Sequence, residues 1–253
     1  MAKLDPQLTG KVCVITGGSG LLGTAFVKAC AENGAITIIA DIRKPASIPA
    51  GAVFMKCDMT DPASVRAFIR AAVKRYGRID ALVNNAYPRN KNYGRKFEGI
   101  SFKDFAENVS SHMGGYFAMT QAVAAVMKKQ KGGSVVFMGS IYGFAAPRFE
   151  VYEGTAMTMP FEYSAIKGGI LNMMRYLAAY LGPHGIRVNA ISPGGVFNEQ
   201  DRKFVKRYAA HVKLAPQRMA SPEDIANGLI FLISDKASYI TGHNLVIDAG
   251  WSL

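Results

Sequence analysis

Short apolar segments rich in β-branched residues alternate with longer helical stretches along the chain, and this alternation restricts the fold more than any other feature. We predict strands at 11–16, 35–40, 53–56, 79–83, 134–138, 186–191 and 244–247. These segments are apolar on both faces, as are parallel strands covered by helices on both sides. Helices are predicted at 21–33, 61–76, 101–130, 161–181, 201–213 and 222–234. The order predicts an α/β fold with a doubly wound parallel sheet of about seven strands.

The remaining composition favours a globular, intracellular chain. No linker, composition break or solenoid repeat interrupts the 253 residues, so we predict one domain over 1–253. No apolar run approaches the ~20 residues of a membrane-spanning helix, and the first residues lack a secretory hydrophobic stretch. Cys13, Cys30 and Cys57 are far apart in apolar segments. They indicate reduced core thiols, without disulfides or a metal site. We expect a cytoplasmic location and no membrane partner.

The charge is strongly basic, with 30 Lys and Arg against 18 Asp and Glu, a net +12. Such a field attracts anions, whether nucleic acid, acidic membrane or a phosphorylated small molecule. Ligands of doubly wound sheets bind beyond the carboxyl ends of the strands, so clusters that follow strands are expected at the ligand site. Solvated basic surfaces are the alternative. The two clusters are Arg89, Lys91, Arg95 and Lys96, and Arg202, Lys203, Lys206, Arg207 and Lys213.

A glycine-rich turn follows the first predicted strand and leads directly into the first predicted helix. It reads TGGSGLLG at 16–23. Glycines permit a tight turn and a close approach, so that backbone N–H groups and the helix N-terminus hold a pyrophosphate. An ordinary strand-to-helix turn is the alternative. The candidate cofactor-binding residues of this turn are Gly17, Ser19, Gly20, Leu22 and Gly23.

An acid ends the second predicted strand, 18 residues after Gly23. Asp41 stands where a carboxylate accepts the ribose hydroxyls of a dinucleotide and repels a 2′-phosphate, which favours NAD over NADP. Ile42 adds no positive charge, whereas Arg43 does. Asp58, beside Met59 after the third strand, is a candidate for the adenine contact; as an alternative it caps the following helix.

Tyr163 and Lys167 are four residues apart on a predicted helix and therefore share a face. An ammonium beside a phenol favours the phenolate and is expected to lower the tyrosine pKa from about 10 toward neutrality. Tyr163 is then a general acid/base for a hydroxyl or carbonyl. The spacing is common, and a surface Tyr/Lys pair is the alternative. Ser140, directly after the fifth strand, favours the catalytic interpretation because its hydroxyl can hold the same substrate oxygen.

Together these residues resemble the short-chain dehydrogenase/reductase family over nearly the whole chain. The resemblance implies a Rossmann-type fold, a nicotinamide cofactor, and hydride exchange between a secondary alcohol and a ketone. It implies Tyr163 as acid/base, Ser140 as the group polarising the substrate oxygen, and Lys167 as ligand of the nicotinamide ribose. The shared motifs are the turn at 16–23, Asn84-Asn85-Ala86, Ser140, Tyr163 with Lys167, Ser192-Pro193-Gly194-Gly195, Ile240-Thr241-Gly242 and Val246-Ile247-Asp248-Ala249-Gly250.

The resemblance also implies further cofactor contacts and an assembly. Family members are commonly dimers or tetramers built on two long helices, here 101–130 and 161–181, so a homo-oligomer is expected. Trp251 is a candidate for a contact across a subunit boundary. The implied cofactor-binding residues beyond the glycine turn and Asp41 are Ile42, Asp58, Met59, Asn85, Ala86, Tyr163, Lys167, Pro193, Gly194 and Val196.

Two departures from the family pattern concern the cofactor turn and the proton path. Leu21 replaces the middle glycine of the usual TGxxxGxG, and the spacing TGxxGxxG resembles that of longer relatives. His112 stands where an asparagine normally helps hold a water that links the lysine to solvent. Histidine also holds water and titrates near neutrality, so His112 is a candidate catalytic residue. Asn108, one turn earlier, is an alternative, and so is a packing role for His112.

A third departure concerns the substrate. Ser140 and Tyr163 are 23 positions apart, farther than is usual in the family. The extra segment at 147–160 and the family's mobile lid, here at 195–217, are both expected near the substrate, with an oligomer contact as the alternative for the insert. The polar residues near these segments and the basic clusters suit a hydroxyl-rich anion. They are Asn90, Asn92, Glu162, Asn198 and Gln200.

The sequence therefore predicts an NAD(H)-dependent oxidoreductase acting on a polar, anionic small molecule, with a sugar phosphate, sugar acid or nucleotide sugar favoured. The first alternative is a reductase of 3-oxoacyl thioesters, which Asp41 disfavours because such reductases generally use NADPH. An alternative of another class is a catalytically silent nucleotide- or RNA-binding protein. The basic residues do not form the aromatic-interleaved stripe typical of RNA binding, so no nucleic-acid partner is expected.

Overall fold

The computed structural model describes residues 7–253, and within them all strands belong to one parallel sheet. The strands are β1 (Val12–Thr16), β2 (Ile36–Asp41), β3 (Ala52–Lys56), β4 (Ala81–Asn84), β5 (Gly133–Met138), β6 (Ile186–Pro193) and β7 (Asn244–Ile247). Their order is β3-β2-β1-β4-β5-β6-β7. The chain winds outward from β1 in both directions, so the predicted doubly wound, Rossmann-type sheet is confirmed.

Helices connect the strands and cover both faces of the sheet. They are α1 (Leu21–Glu32), α2 (Pro62–Tyr76), α3 (Phe102–Val109), α4 (Gly115–Gln130), α5 (Phe161–Leu181), α6 (Arg202–Ala210) and α7 (Pro222–Ile233). Short 3₁₀ turns lie at Phe97–Gly99, Ile141–Gly143, Phe149–Tyr152, Gly182–His184 and Asp235–Ala237. No helix of residues 7–253 is both long enough and apolar enough to cross a membrane.

The structure differs from the prediction of one continuous helix at 101–130. A π-helical turn, Ser110–Gly114, separates α3 from α4. Directly after it, Gly115 packs so closely on Met59 that a Cβ atom at Gly115 would lie 2.4 Å from the Met59 Cε atom. A π turn inserts an extra residue into the helical ladder, and such turns are frequent at functional sites. Here it contains His112.

Two helices begin with capping motifs that are visible in the sequence. The Asp61 carboxylate accepts a 2.8 Å hydrogen bond from the Ala63 N–H ahead of Pro62, and so caps α2. Ser221 and Asp224 form a reciprocal capping box at α7. Such caps satisfy N–H groups that have no partner inside the helix. The prediction for α6 was wrong at its end, because the helix stops at Ala210 and the chain then turns back toward the C-terminal segment.

The sheet separates two apolar layers, and alternate residues of each central strand enter opposite layers. In β1, Val12 and Val14 pack toward α2, α4 and α5, whereas Cys13 and Ile15 pack toward α1 and α7. This two-sided burial explains why the strands read as continuous apolar runs. Cys13, Cys30 and Cys57 are buried free thiols, as predicted. The carboxyl ends of the strands all point to one edge, where the chain carries its polar motifs.

Candidate functional site

A cleft of about 1040 Å³ lies along the carboxyl edge of the sheet. Its walls come from the segments that directly follow β1, β2, β3, β4, β5 and β6. The position fits the general rule that open α/β sheets bind ligands beyond the ends of their strands. Most of the predicted site residues line it: Gly17, Ser19, Gly20, Leu22, Asp41, Ile42, Asp58, Met59, Asn85, Ala86, Ser140, Tyr163, Lys167, Pro193, Gly194 and Val196.

The glycine turn forms one end of the cleft, and its backbone geometry requires glycine. Gly17 has a φ of 62°, and a Cβ atom there would lie 2.6 Å from the Ala86 Cα atom. Gly23 does not line the cleft; a Cβ atom there would lie 2.1 Å from the Gly17 carbonyl oxygen. Gly23 therefore lets α1 start against the turn.

The start of α1 is suited to an anion. Gly20 is its N-cap residue and offers no side-chain cap, and the first turn contains no acidic residue. The N–H groups at a helix start carry a partial positive charge and bind phosphate when no side chain satisfies them. Together with the open approach over the glycines, this end of the cleft fits the pyrophosphate of a dinucleotide.

Asn85 and Ala86 hold the loop after β4 against the glycine turn. Both backbone N–H groups donate to the Thr16 hydroxyl, at 2.9 and 3.1 Å. The Asn85 side-chain amide donates to the carbonyl oxygens of Thr16 and Gly17 at 3.0 and 3.1 Å. Asn84 lies inside β4 and donates to the Thr120 hydroxyl. This motif thus fixes the shape of the cleft floor.

Asp41 ends β2 at the same end of the cleft. One carboxylate oxygen accepts a 3.1 Å hydrogen bond from the Ser19 N–H, and the other accepts one from the Arg43 N–H at 3.1 Å. The carboxylate is therefore oriented beside the glycine turn. Asp58 does not cap α2, since Asp61 does so. The Asp58 carboxylate accepts instead from the Thr60 N–H and hydroxyl and lines the cleft.

Ser140, Tyr163 and Lys167 meet at the middle of the cleft, although 23 positions separate the first two. Ser140 follows β5 and accepts a 3.2 Å hydrogen bond from the Tyr142 N–H. The Lys167 Nζ atom lies 5.4 Å from the Tyr163 ring centroid and donates a 2.6 Å hydrogen bond to the Met138 carbonyl oxygen. A serine hydroxyl, a phenol and an ammonium thus converge on one region.

The expected lowering of the Tyr163 pKa is not what the structure shows. Burial raises the pKa of Tyr163, and the Ser140 hydroxyl opposes this shift by lowering it. Burial also lowers the pKa of Lys167 to about 7. Burial of the phenol thus outweighs the ammonium effect expected from the sequence, and the desolvated Lys167 is itself protonated less readily than an exposed lysine.

His112 is buried in the π turn and does not line the cleft. Neither ring nitrogen has a hydrogen-bond partner among residues 7–253. Its ring centroid lies 5.1 Å from that of Tyr87 and 5.0 Å from that of Tyr116. Burial, and then the Lys167 charge, lower the pKa of His112 well below its usual range. Titration near neutral pH, expected from the sequence, is therefore wrong.

The Asn108 side chain, the alternative to His112, is hydrogen-bonded to other residues. Its side-chain oxygen accepts a 2.9 Å hydrogen bond from the Asn90 N–H. Its side-chain amide lies 3.5 Å from Glu162, a buried carboxylate one residue before Tyr163. These contacts join α3, the loop after β4 and the start of α5. Asn108 therefore acts as a structural link near the site.

The insert and the lid segment both line the other half of the cleft. The insert contributes its apolar part and one threonine: Tyr152, Met157, Thr158 and Met159. Its charged residues Arg148, Glu150 and Glu153 do not line the cleft. The lid contributes Gly195, Val196, Asn198, Gln200, Phe204 and Tyr208.

An aromatic cluster joins these two segments to the C-terminus. The Tyr208 and Trp251 rings stack, with centroids 4.9 Å apart and an interplanar angle of 11°. The Tyr142 and Trp251 rings form a T-shaped pair with centroids 5.8 Å apart, and the Phe204 and Tyr152 ring centroids are 5.1 Å apart. Trp251 is buried within its own chain. A contact of the chain end across a subunit boundary stays a prediction.

Both basic clusters were expected to face the cleft, and most of their members do not. Of their members only Arg89 lines it. Arg95 instead donates to the Asn92 side chain, and Arg207 donates to the Glu153 carbonyl oxygen. Phe204 and Tyr208 occupy the inward face of α6, so the basic residues of this helix point away from the cleft. Of the polar neighbours, Asn90, Asn198 and Gln200 line the cleft, whereas Asn92 and Glu162 do not.

Several cleft residues were missed by the sequence analysis. Tyr87 lies between the Tyr163 and His112 rings, at 5.7 and 5.1 Å. Only the four-residue spacing of Phe204 and Tyr208, which places both on one face of a helix, carried a detectable signal. The missed lining residues include Tyr87, Glu107, Ser111, Tyr142, Tyr152, Phe204, Tyr208 and Met219.

Comparison with known proteins gives one matching family model and many full-length relatives. The model described as enoyl-(acyl carrier protein) reductase matches residues 19–252. Post-translational flagellin modification protein A of Campylobacter coli is 33% identical, and the match covers 98% of this chain and 100% of the relative. D-threitol dehydrogenase of Mycolicibacterium smegmatis is 33% identical over 98% of this chain and 95% of its own length.

A 3-oxoacyl-[acyl-carrier-protein] reductase of Thermotoga maritima is also similar, at 32% identity over 96% of this chain and 98% of the relative. Among solved structures, a short-chain dehydrogenase from Leptospira borgpetersenii with bound NAD+ superimposes with a TM-score of 0.89 and 30% identity. That match covers 98% of this chain and 94% of the other chain. The similarity therefore includes the whole sheet and every segment of the cleft.

Proposed function

This chain belongs to the short-chain dehydrogenase/reductase family, and from that membership we propose that it interconverts a secondary alcohol and a ketone with NAD(H). The observation that carries the proposal is the convergence of Ser140, Tyr163 and Lys167 at the middle of a cleft whose one end is a glycine turn. A proton donor and acceptor, a hydroxyl that holds an oxygen, and a dinucleotide site are what such a reaction needs.

The cofactor assignment rests on the fit between the turn and a dinucleotide. The uncapped start of α1 would hold the pyrophosphate, and Asp41 would accept the adenosine ribose hydroxyls. Asp58 and Met59 line the region for the adenine, and Pro193, Gly194 and Val196 line the opposite wall. When bound, the nicotinamide ring supplies the hydride acceptor or donor. The Asp41 carboxylate favours NAD because it repels the 2′-phosphate of NADP.

The proton chemistry belongs to this chain's own side chains. Tyr163 would give its phenolic proton to the carbonyl oxygen during reduction and take it back from the hydroxyl during oxidation. Ser140 would hold the same oxygen by a hydrogen bond. The raised pKa of Tyr163 keeps the phenol protonated in the free protein, which suits the reductive direction. Lys167 would bind the nicotinamide ribose and, when protonated, favour the phenolate.

We assign His112 to the proton path beside Lys167. Its two unpartnered ring nitrogens lie in the buried π turn, and the Lys167 charge acts on it. Buried polar atoms without protein partners are the sites that internal water occupies. Because its pKa is low, His112 would serve as a neutral ligand of water and would not carry a proton as a cation.

The substrate is proposed to be hydroxyl-rich and anionic, of the sugar phosphate, sugar acid or nucleotide sugar type. Amide side chains of Asn198 and Gln200 line the half of the cleft beyond Tyr163, under the insert and the lid. Asn90 also lines it, but its side-chain amide already donates to Asp104 and Glu107. Amides pair with hydroxyl groups as both donors and acceptors. The similarity to a D-threitol dehydrogenase supports a polyol-like substrate. The similarity to a 3-oxoacyl reductase keeps the thioester as the second candidate.

A homo-oligomer is proposed from the outer faces of the long helices. Phe117 on α4 and Tyr176 and Tyr180 on α5 are exposed aromatic side chains. The Tyr176 and Tyr180 rings stack on each other, with centroids 6.1 Å apart. Exposed aromatic groups of this kind are enriched at protein interfaces. Light scattering during size-exclusion chromatography tests this directly, and a monomer at all concentrations would contradict it.

The deciding experiment is NADH absorbance with the purified protein against a mixed substrate panel. The panel contains sugar phosphates, nucleotide sugars, sugar acids, polyols and a 3-oxoacyl thioester, each with NAD(H) and NADP(H). Tyr163→Phe removes the acid/base and should abolish turnover while NADH binding persists. The control is Tyr239→Phe, at a fully exposed tyrosine outside the cleft.

Activity on a sugar-type compound with NAD, lost in Tyr163→Phe and kept in the control, would support the proposal. Activity on the thioester with NADPH would favour the second candidate. Equal turnover by the Tyr163→Phe variant, or a protein that binds neither dinucleotide, would overturn the assignment of the site.

A further inference from the structure

The loop after β4 places one cation on the substrate half of the cleft. The Arg89 guanidinium carbon lies 5.3 Å from the Tyr87 ring centroid, which places the cation over the ring. The Tyr87 ring in turn lies 5.7 Å from the Tyr163 ring. Both Arg89 and Tyr87 line the cleft. Arg89 is thus separated from the proposed acid/base by a single aromatic ring.

Arg89 has no carboxylate partner within the described chain, and the group it acts on there is Tyr87. The ion pairs of residues 7–253 do not include it. The other basic residues on the cleft wall are Arg43, at the proposed nucleotide end beside Asp41, and Lys167, which is buried against Met138. A cation on a concave wall without a carboxylate partner raises the local concentration of anions.

One acid lies on the same half of the cleft, and it already has partners. Glu107 accepts a 3.0 Å hydrogen bond from the Asn90 side chain and lies 3.9 Å from the Lys103 Nζ atom. No ion pair links it to Arg89 in the described part of the chain. Its charge therefore offsets that of Lys103, and Arg89 remains available to a ligand.

The backbone that carries Arg89 is held on both sides. The Asn90 N–H donates to the Asn108 side chain at 2.9 Å, and the Asn90 amide donates to Asp104 at 2.9 Å. On the other side, the Tyr87 hydroxyl bonds to that of Tyr93. The base of the side chain is therefore fixed relative to α3 and Tyr163, while the guanidinium stays exposed. Such support orients a binding group with little loss of entropy on binding.

We propose that Arg89, positioned on the Tyr87 ring, binds the carboxylate or phosphate group of the substrate and selects anionic over neutral polyhydroxy compounds. A guanidinium offers paired N–H donors that match a carboxylate or phosphate. This inference rests on the proposed oxidoreductase function and adds to it the residue that recognises the charged end of the substrate. Arg89 alone thus takes the role in substrate binding that the sequence suggested for the two basic clusters.

The test compares matched pairs of ligands that differ in charge: threonate with threitol, gluconate with glucitol, and glucose 6-phosphate with glucose. NAD binding is measured first by calorimetry, and each compound is then titrated into NAD-saturated protein carrying Tyr163→Phe to prevent turnover. In this background we compare the protein with no further substitution against three variants, Arg89→Ala, Arg89→Lys and Lys91→Ala. Lys91 is an exposed cation of the same loop that does not line the cleft.

We expect at least one anion to bind more tightly than its neutral partner. Arg89→Ala should weaken that anion about ten-fold, the effect of losing about 1.4 kcal/mol, and leave the neutral compound unchanged. Arg89→Lys should restore part of the affinity, and Lys91→Ala should have little effect. Glu107→Gln should increase the preference for the anion, because it removes from the same wall a negative charge that repels anionic ligands.

The outcomes separate this inference from the function on which it rests. Failure of NAD to bind counts against the proposed function and leaves no substrate for Arg89 to select, so it overturns both. If NAD binds but no anion exceeds its neutral partner, the role of Arg89 is refuted alone. The same holds if Arg89→Ala and Lys91→Ala weaken anions equally, because a general surface field would then account for the preference.

Discussion

The Lys167 ammonium donates a 2.6 Å hydrogen bond to the carbonyl oxygen of Met138, the last residue of β5. This bond fixes α5 to the carboxyl end of a central strand, and Tyr163 is one turn away on the same helix. Rings of Tyr87 and Tyr116 lie 5.9 and 5.8 Å from the same ammonium. No carboxylate of residues 7–253 forms an ion pair with it. No opposite charge therefore offsets the cost of burying the ammonium, and the pKa of Lys167 falls to about 7.

This lowered pKa makes stability depend on pH in a direction that can be tested. An unfolded lysine has a pKa of about 10.4, so between this value and the folded pKa of about 7 the unfolded state binds more protons. The Lys167 contribution to stability is therefore present above the unfolded pKa and lost as pH falls through about 7. Relative to Lys167→Met, the cofactor-free wild type should gain stability from pH 7 to about pH 9. Urea unfolding at both pH values measures this.

The exposed Lys129 supplies the control for this pH effect. Lys129→Met removes the same charge from solvent and should leave the pH dependence of the unfolding free energy as in the wild type. Parallel pH dependences for wild type and Lys167→Met would show that Lys167 titrates normally in the folded protein.

Gly23 is required by packing and does not itself reach a ligand. A Cβ atom there would lie 2.1 Å from the Gly17 carbonyl oxygen, so Gly23→Ala must displace the turn or α1. We expect a loss of about 1–3 kcal/mol of stability and a large loss of NADH affinity. Thermal unfolding and NADH fluorescence measure the two. Gly182→Ala, where no atom lies within 4 Å of the added Cβ, should change neither. Normal NADH affinity in Gly23→Ala would contradict the rigid-turn model.

Asp41 should set the choice between NAD and NADP. Asp41→Asn removes the charge that repels a 2′-phosphate and keeps an oxygen that can accept from the Ser19 or Arg43 N–H. With Arg43 beside it, the variant should raise kcat/KM for NADP relative to NAD by about ten-fold, or about 1.4 kcal/mol. Asp58→Asn, at the same end of the cleft but bonded to Thr60, should leave the ratio unchanged. An unaltered ratio in Asp41→Asn would remove Asp41 from cofactor selection.

Trp251 should affect substrate binding more than the chemical step. It stacks on Tyr208, which accepts a hydrogen bond from the Gly195 N–H and lines the cleft. Trp251→Ala should cost about 3–5 kcal/mol of stability, the usual loss for a buried tryptophan, and loosen the lid wall. At a temperature where the variant is folded, we expect a raised KM with kcat retained. Leu253→Ala, at an exposed side chain, is the control, and a fall in kcat alone would contradict this role.

The strands, the glycine turn and the positions of Ser140, Tyr163 and Lys167 were all predictable because they depend on local sequence. Two-sided burial produces continuous apolar runs, and the residues after each run reach the same sheet edge whatever the loops do. The caps at Asp61 and Ser221 are equally local, because a capping side chain reaches N–H groups only two or three residues away.

Other features depend on which distant segments pack together, and sequence patterns do not reveal this. The π turn at Ser110–Gly114 accompanies the close packing of Gly115 on Met59, which comes from another part of the chain. The reversed pKa shift of Tyr163 follows from burial, a property of the assembled fold. The insert faces the cleft with its methionines, whereas Arg148 lies over the Trp251 ring, 103 positions later in the chain.

Local patterns in the chain were thus enough to predict the doubly wound sheet, the dinucleotide-type turn and the edge at which the polar motifs meet. These follow from hydrophobic periodicity and from backbone conformations that only glycine adopts. Which charges and rings face the cleft depends on tertiary packing. Of the two basic clusters, only Arg89 lines the cleft. The orientation of a side chain depends on free-energy differences between packing arrangements, and these involve residues from distant parts of the chain.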